Sequence, residues 1–325
     1  MSDTWYPDDV VRTMKMKILR ASRDGDVDEL RRLIHGSNAA ARPIFDDAIL
    51  EACENGHTEA VRLLLEHSAD PGYMEHFRTL LGRAFPYGHA DLVRILIEDY
   101  GVAVDDGVAE SMIAAIVSDS GSFRASGQLE IVRILLSRGA SPNTTKASGF
   151  EAGASVLWLA VHADRIEIAR ALIEAGAEVD FKGPRGITPL LKAVWSGRLA
   201  IARLLLDCSS SSIDWACDRH VNSPRVQVPS TVDGGTVSLG GSTPLSAACL
   251  TGKAGLVRLL LQRGARPATA LSWPTLRADG KYAEPVLDML RQYYAVHVTL
   301  DVWGRRERRR DIVPRIIPFL VPPRV

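Results

Sequence analysis

A short amphipathic pattern returns seven times along this chain, at residues 25–34, 56–65, 88–97, 127–136, 164–173, 197–206 and 252–261. Gly56-His-Thr-Glu-Ala-Val-Arg-Leu-Leu-Leu65 and Gly252-Lys-Ala-Gly-Leu-Val-Arg-Leu-Leu-Leu261 are two of the copies. Each puts apolar residues at helical spacing with an Arg on the other side, which describes a helix with one buried stripe. A helix this short cannot bury its stripe alone, so the copies must stack on one another, and a repeat of this period decides the architecture before any residue-level reasoning.

A second, small-residue helix precedes each copy, as in Ala48-Ile-Leu-Glu-Ala-Cys53, Leu157-Trp-Leu-Ala-Val161, Leu190-Leu-Lys-Ala-Val194 and Leu245-Ser-Ala-Ala-Cys249. Thr188-Pro189-Leu190 and Thr243-Pro244-Leu245 open two of these helices, with Thr placed to cap and Pro in the first turn, where its missing N–H costs nothing. The glycine between the helices stops the first one. Gly139-Ala-Ser-Pro-Asn143, Gly176-Ala-Glu-Val-Asp180 and Gly264-Ala-Arg-Pro267 then turn the chain into the next unit.

This order of parts resembles the ankyrin repeat, T-P-L-x-x-A-x-x-x-G-x-x-x-x-V-x-x-L-L-x-x-G-A-x-x-N, over roughly residues 15–270. The resemblance implies an all-α solenoid of helix–turn–helix units with β-turn fingers, inserted loops and a C-terminal cap. Residues 1–14 form an extension, 15–270 the repeats, and 271–325 a capping helix at 281–296 with a basic, Pro-rich tail. Leu191, Ser246 and Trp158 stand where the family usually has His after Thr-Pro-Leu. Without the Thr–His brace, those turns are expected to be looser. The divergent repeats and the Ser- and Pro-rich inserts are also similar to ankyrin proteins of filamentous fungi, some of which are encoded beside biosynthetic genes.

Anchor-to-anchor spacings of 31, 32, 39, 37, 33 and 55 mark insertions wherever they exceed 33. Residues 116–126 and 144–154 read as polar surface loops. The longest insert, 217–241, carries Asp233-Gly234-Gly235 between Pro229-Ser-Thr-Val232 and Thr236-Val-Ser-Leu239. It suits either an irregular loop or a β-hairpin arm. Beyond residue 296 the chain has seven Arg against three acids, a local charge of +4. Arg305-Arg-Glu-Arg-Arg-Arg310 reads either as a nuclear import signal or as a solvated extension.

The formal charge of zero names no partner and gives no overall pull toward nucleic acid or anionic lipid. The acidic start of the chain does not look like a secretory leader, and no apolar run is long enough to span a bilayer. Four scattered cysteines suit reduced thiols in cytoplasm or nucleus. No Gly-x-Ser-x-Gly, His-Glu-x-x-His, EF-hand or paired CxxC pattern occurs. Gly235-Thr-Val-Ser-Leu-Gly240 lacks the lysine of a phosphate loop, and Cys208, Cys217 and His220 do not have zinc spacing. Cys53 and Cys249 read as core thiols, and His57 and His89 as structural histidines.

In the family the recognition surface is the concave side, made of turn tips and of the two positions before the glycine. Position by position, that carry-over falls on Glu54 and Asn55, Tyr87, His162 and Trp195. The finger before Trp195 adds Lys182, Arg185 and Ile187, and Trp215 joins from the next finger. Tyr87, His162 and Trp195 are expected to give this surface an apolar wall with polar tips, unless they merely pack on neighbouring turns. These residues favour a non-catalytic, cofactor-free protein-binding adaptor or regulator, with no direct nucleic-acid binding. The alternative is a small-molecule-binding protein or unusual enzyme with His162 as acid–base group beside Trp195. A nuclear co-regulator is a third reading, which depends on the basic tail.

Overall fold

The computed structural model describes residues 8–35, 42–68, 76–105, 108, 125–147, 149, 151–208, 227–229, 236–238 and 243–265. They fall in two units, 1–178 and 179–325. In the first, α1 (Asp8–Asp24) and α2 (Val27–His35) pair, as do α3 (Arg42–Asn55) with α4 (Thr58–Ser68) and α5 (His76–Tyr87) with α6 (Ala90–Glu98). Next come α7 (Ala125–Ser137) and the pair α8 (Val156–His162) and α9 (Ile166–Glu174). The second unit holds α10 (Pro189–Ser196) with α11 (Leu199–Cys208), and α12 (Pro244–Leu250) with α13 (Ala254–Gln262). A short hairpin, β1 (Gln227–Pro229) and β2 (Thr236–Ser238), lies between those pairs in sequence.

First helices pack on first helices and second on second, so α1, α3 and α5 form one layer while α2 and α4 contribute to another; α10 with α12 and α11 with α13 repeat the scheme. The core follows the sequence stripes: Ala48, Ile49, Ala52 and Cys53 from α3 and Ala60, Val61 and Leu64 from α4 are buried. Alanine at the first-helix contacts lets the axes approach, while leucine in the second helices supplies apolar area worth about 1.5–3 kcal/mol per buried side chain.

The dividing glycines Gly25, Gly56, Gly88, Gly197 and Gly252 take φ between 65 and 76°, the left-handed conformation that ends a helix without penalty at glycine. In the fifth copy Asp164 occupies that conformation, with φ 59°; Asp tolerates it better than most residues. Gly127 departs from its expected role. It sits inside α7, where a side chain would collide with the Gly88 carbonyl, so its smallness serves close packing and not a stop.

In four copies the residue after Gly56, Gly88, Gly127 or Gly252 ties its repeat to the one before. His57 Nε2 lies 2.9 Å from the Arg23 carbonyl oxygen and His89 Nε2 2.8 Å from that of Glu54. Gln128 donates to the Pro86 carbonyl at 3.5 Å, and Lys253 Nζ to the Trp195 carbonyl at 2.8 Å. Every acceptor lies two residues before the earlier glycine, among the carbonyls that a helix end leaves unpaired. The expectation that His57 and His89 are structural holds for this reason.

One expectation about the connections changes, that of the looser turns, and two others gain detail. The 144–154 insert is tied down by a Thr145–Ser155 bridge and by hydrogen bonds from Lys146 N to Ala154 O (2.9 Å) and Gly153 N to Lys146 O (2.8 Å). The turn before α12 is not loosened by Ser246. Its hydroxyl accepts from Thr243 N at 2.8 Å while Thr243 Oγ1 accepts from Ser246 N at 3.3 Å, a reciprocal box that replaces the missing histidine. Thr188 likewise caps α10 by accepting from Leu191 N at 3.2 Å. In the long insert the hairpin alternative is met in part, with Gln227 opposite Ser238 and Pro229 opposite Thr236. The Asp233-Gly234-Gly235 turn lies outside the described residues, as do the 281–296 capping helix, the Arg305–Arg310 run, Cys217 and His220.

Candidate functional site

The first-helix ends of the N-terminal unit carry four of the expected surface residues. Glu54, one residue from the end of α3, is half-buried and forms an ion pair with Arg83 of α5. Its backbone oxygen meets His89, and the His89 ring stacks on Tyr87 with centroids 6.0 Å apart and planes 23° apart. Glu54, Arg83, Tyr87 and His89 therefore form one cluster spanning two units of the stack. Asn55 is exposed and donates to the Glu51 carbonyl at 2.8 Å, which leaves the side chain at the surface but fixes its direction.

His162 ends α8 at the surface. Its ring lies flat on Trp158, with centroids 5.6 Å apart and planes 12° apart, and its Nδ1 is 3.5 Å from Glu151 Oε1. Trp158 is only 3% exposed, anchored through its backbone N–H to the Ser155 cap. Glu151 comes from the 144–154 insert, with φ 75°, so that loop places a carboxylate against the imidazole. An imidazole with an indole on its face and a carboxylate at its edge is preset in direction. Protonation adds a charge-assisted contact to Glu151.

In the C-terminal unit Lys182 and Arg185 are exposed on the finger before α10. The finger closes through Gly183 N to Ile187 O (3.1 Å) and Gly186 N to Gly183 O (3.0 Å), with Arg185 at φ 60° on the tip. Trp195 needs correction as part of an open wall, and Ile187 as a surface residue beside it. Ile187 is 6% and Trp195 7% exposed: Ile187 directly precedes the capped start of α10, and Trp195 lies among that helix's buried residues. The Trp195 backbone carbonyl accepts from Lys253 Nζ. Tyr87 and His162 belong to one unit and Trp195 to the other. Trp215 lies outside the described residues.

Arg83, Glu151 and Trp158 contact the expected surface residues Glu54 and His162, and position counting alone does not select them. The repeat spacing between Glu54 and Arg83 is the one signal for the first. Nothing local marks Glu151, whose approach to His162 depends on how the insert folds back. Among the described residues no cluster of His, Cys, Asp and Glu could hold a metal ion, and no helix is long and apolar enough to cross a membrane.

The family profile described as "Ankyrin repeats (3 copies)" matches residues 18–106 and 120–217, and "Ankyrin repeat" matches 240–270. Human Ankyrin repeat and SOCS box protein 16 is 28% identical over 272 residues, covering 76% of this chain and 56% of the relative. Caenorhabditis elegans Ankyrin repeat and KH domain-containing protein mask-1 is 27% identical over 164 residues, 49% of this chain and 6% of the relative. The chain thus spans about half the length of one and a small part of the other. The crystal structure of the human ASB11 ankyrin repeat domain is similar in fold, with TM-score 0.53 and 22% identity, over 77% of this chain and 98% of that one.

Proposed function

Because the chain belongs to the ankyrin-repeat family, whose repeats serve protein interaction in general, we propose that it is a non-catalytic adaptor or regulator that holds a protein partner on its concave face. The observation that supports this reading most is the Glu54–Arg83–His89–Tyr87 cluster, in which side chains from successive units are already held in place. Preset side chains on stacked helices spare a partner much of the ordering cost of binding. Asn55, His162, Lys182 and Arg185 extend the exposed set. A cytoplasmic or nuclear location accompanies this proposal and is checked by imaging the tagged chain.

The test is affinity purification with mass spectrometry on wild type and an Asn55→Ala, Tyr87→Ala variant matched in thermal stability. A protein recovered with the first and lost with the second supports the reading. The same proteins in both sink it. Trp195 is the wrong residue to alter, since truncating a buried indole costs about 3–5 kcal/mol and would mimic lost binding by unfolding.

A second reading rests on the His162–Glu151 pair, where a carboxylate at the imidazole edge is an arrangement suited to moving a proton in a bound small molecule. Metabolites retained by wild type but not by a His162→Gln variant of equal stability are its expected result.

A further inference from the structure

We propose that the second-helix face of the C-terminal unit, centred on Leu199 and flanked by Arg203 and Arg258, docks an acidic amphipathic segment of a partner protein. Every copy of the repeat has an Arg at one position of its second helix: Arg31, Arg62, Arg94, Arg133, Arg170, Arg203 and Arg258. In the first five an acid stands three residues earlier, Asp28, Glu59, Asp91, Glu130 and Glu167, one helical turn away. Three of these arginines are paired: Arg62 with Asp99 at 3.0 Å, Arg94 with Glu130 of the next copy at 2.7 Å and Arg170 with Glu167 at 3.6 Å, while among the described residues Arg31 and Arg133 have only the acid one turn away. In the last two copies the acid is replaced by Ala200 and Gly255 while the Arg remains. Both Arg203 and Arg258 are exposed, and neither has an acidic partner among the described residues.

The missing acid also uncovers an apolar side chain. Helices α11 and α13 are neighbours, and Leu199 Cδ2 lies 3.7 Å from where a Cβ of residue 255 would stand. With glycine there, Leu199 remains 39% exposed, one of two large apolar side chains left exposed among the described residues. Arg203 is one turn beyond Leu199 on α11, and Arg258 one turn beyond Gly255 on α13. An apolar spot thus lies between two helices that each contribute one uncompensated guanidinium.

Charge complementarity selects the occupant. Residues 179–325 contain 21 Lys and Arg against 11 Asp and Glu, whereas residues 1–178 contain 18 against 28, so the zero net charge hides halves of +10 and −10. In the described part of the C-terminal unit the imbalance is eight against two. An acidic segment is steered to this unit and repelled by the other. Leu199 argues for a peptide over a phosphate backbone: a helix with leucine flanked by carboxylates one turn away matches both the apolar spot and the arginines, while nucleic acid leaves Leu199 unmatched and draws on many more basic contacts. This surface lies on second helices and does not depend on the concave-face reading.

The test uses the full chain and a fluorescein-labelled peptide of about 18 residues that alternates Leu at helical spacing with Glu, followed by anisotropy at about 50 mM and about 300 mM salt. The deciding variant, Ala200→Glu with Gly255→Glu, restores the acid of the other five copies. Both positions are exposed, residue 255 has ordinary clearance, and acids suit a first helical turn, so the fold is retained. Arg203→Gln with Arg258→Gln is a second, equally exposed pair. We expect the peptide to bind wild type at low salt, about tenfold more weakly to either pair, and more weakly at high salt. It should bind Asn55→Ala, Tyr87→Ala as it binds wild type. No binding to wild type, binding to the charge variants as tight as to wild type, equal binding of a Lys-for-Glu peptide, loss with the concave-face variant, or displacement by duplex DNA at lower concentration would each overturn the proposal.

Discussion

Cys53 and Cys249 show what a residue's place in the repeat does to its chemistry. Each lies three residues before a dividing glycine and is fully buried, and burial pushes each thiol up to about 12 from an ordinary value of 9.0. Cys208, at the end of α11, is exposed. Alkylation of the native protein followed by peptide mass mapping should modify Cys208 and leave Cys53 and Cys249 intact until the chain unfolds. The same shift gives a pH dependence. Because the folded pKa values are raised, the buried thiols contribute fully to stability below about pH 9. That contribution is lost between about 9 and about 12, where the unfolded chain has released protons that the folded chain retains. Denaturant melts should show stability falling with pH over that window, and falling less steeply in a Cys53→Ala, Cys249→Ala variant.

At the scale of an element, the junction between paired helices carries the most information. Gly56 holds φ 75°, and a side chain there would also strike the His89 ring that braces the next unit. Gly56→Ala should therefore cost about 2 kcal/mol or more in urea unfolding, since the left-handed backbone alone costs an L-residue about 1–2 kcal/mol. Ser246→Ala removes half of the capping box at α12 and should cost about 1 kcal/mol. Helix pairs, dividing glycines and core thiols were legible in the sequence because each depends on contacts within about one repeat. Gly127 was not, because whether a glycine ends a helix or admits a neighbour is decided by the Gly88 carbonyl 39 residues away in sequence.

For the whole molecule, a stack of near-neighbour contacts makes stability local. Truncating Leu64, fully buried in α4, should cost about 2–5 kcal/mol. Hydrogen exchange should show the loss concentrated in α2 to α6 and not spread evenly over the chain. The opposed charges of the two halves give a second expectation: at pH 7 and low ionic strength the protein, although formally neutral, should be retained by both cation and anion exchangers and released by moderate salt. Passage through either resin without retardation would show that the opposed charges do not act as separate surfaces.

The sequence alone determined the family, the helical solenoid, and the positions of Cys53, Cys249, His57 and His89 in it. All of these follow from a periodic pattern of side-chain size and polarity, which a linear chain displays directly. Only the tertiary structure decided that Ile187 and Trp195 are buried, that the 144–154 insert brings Glu151 to His162, that Ser246 replaces a missing histidine, and that Leu199 stands bare beside Gly255. Each of those depends on the direction in which a side chain leaves one element and on what the next element places in front of it. Spacing along the chain does not encode that.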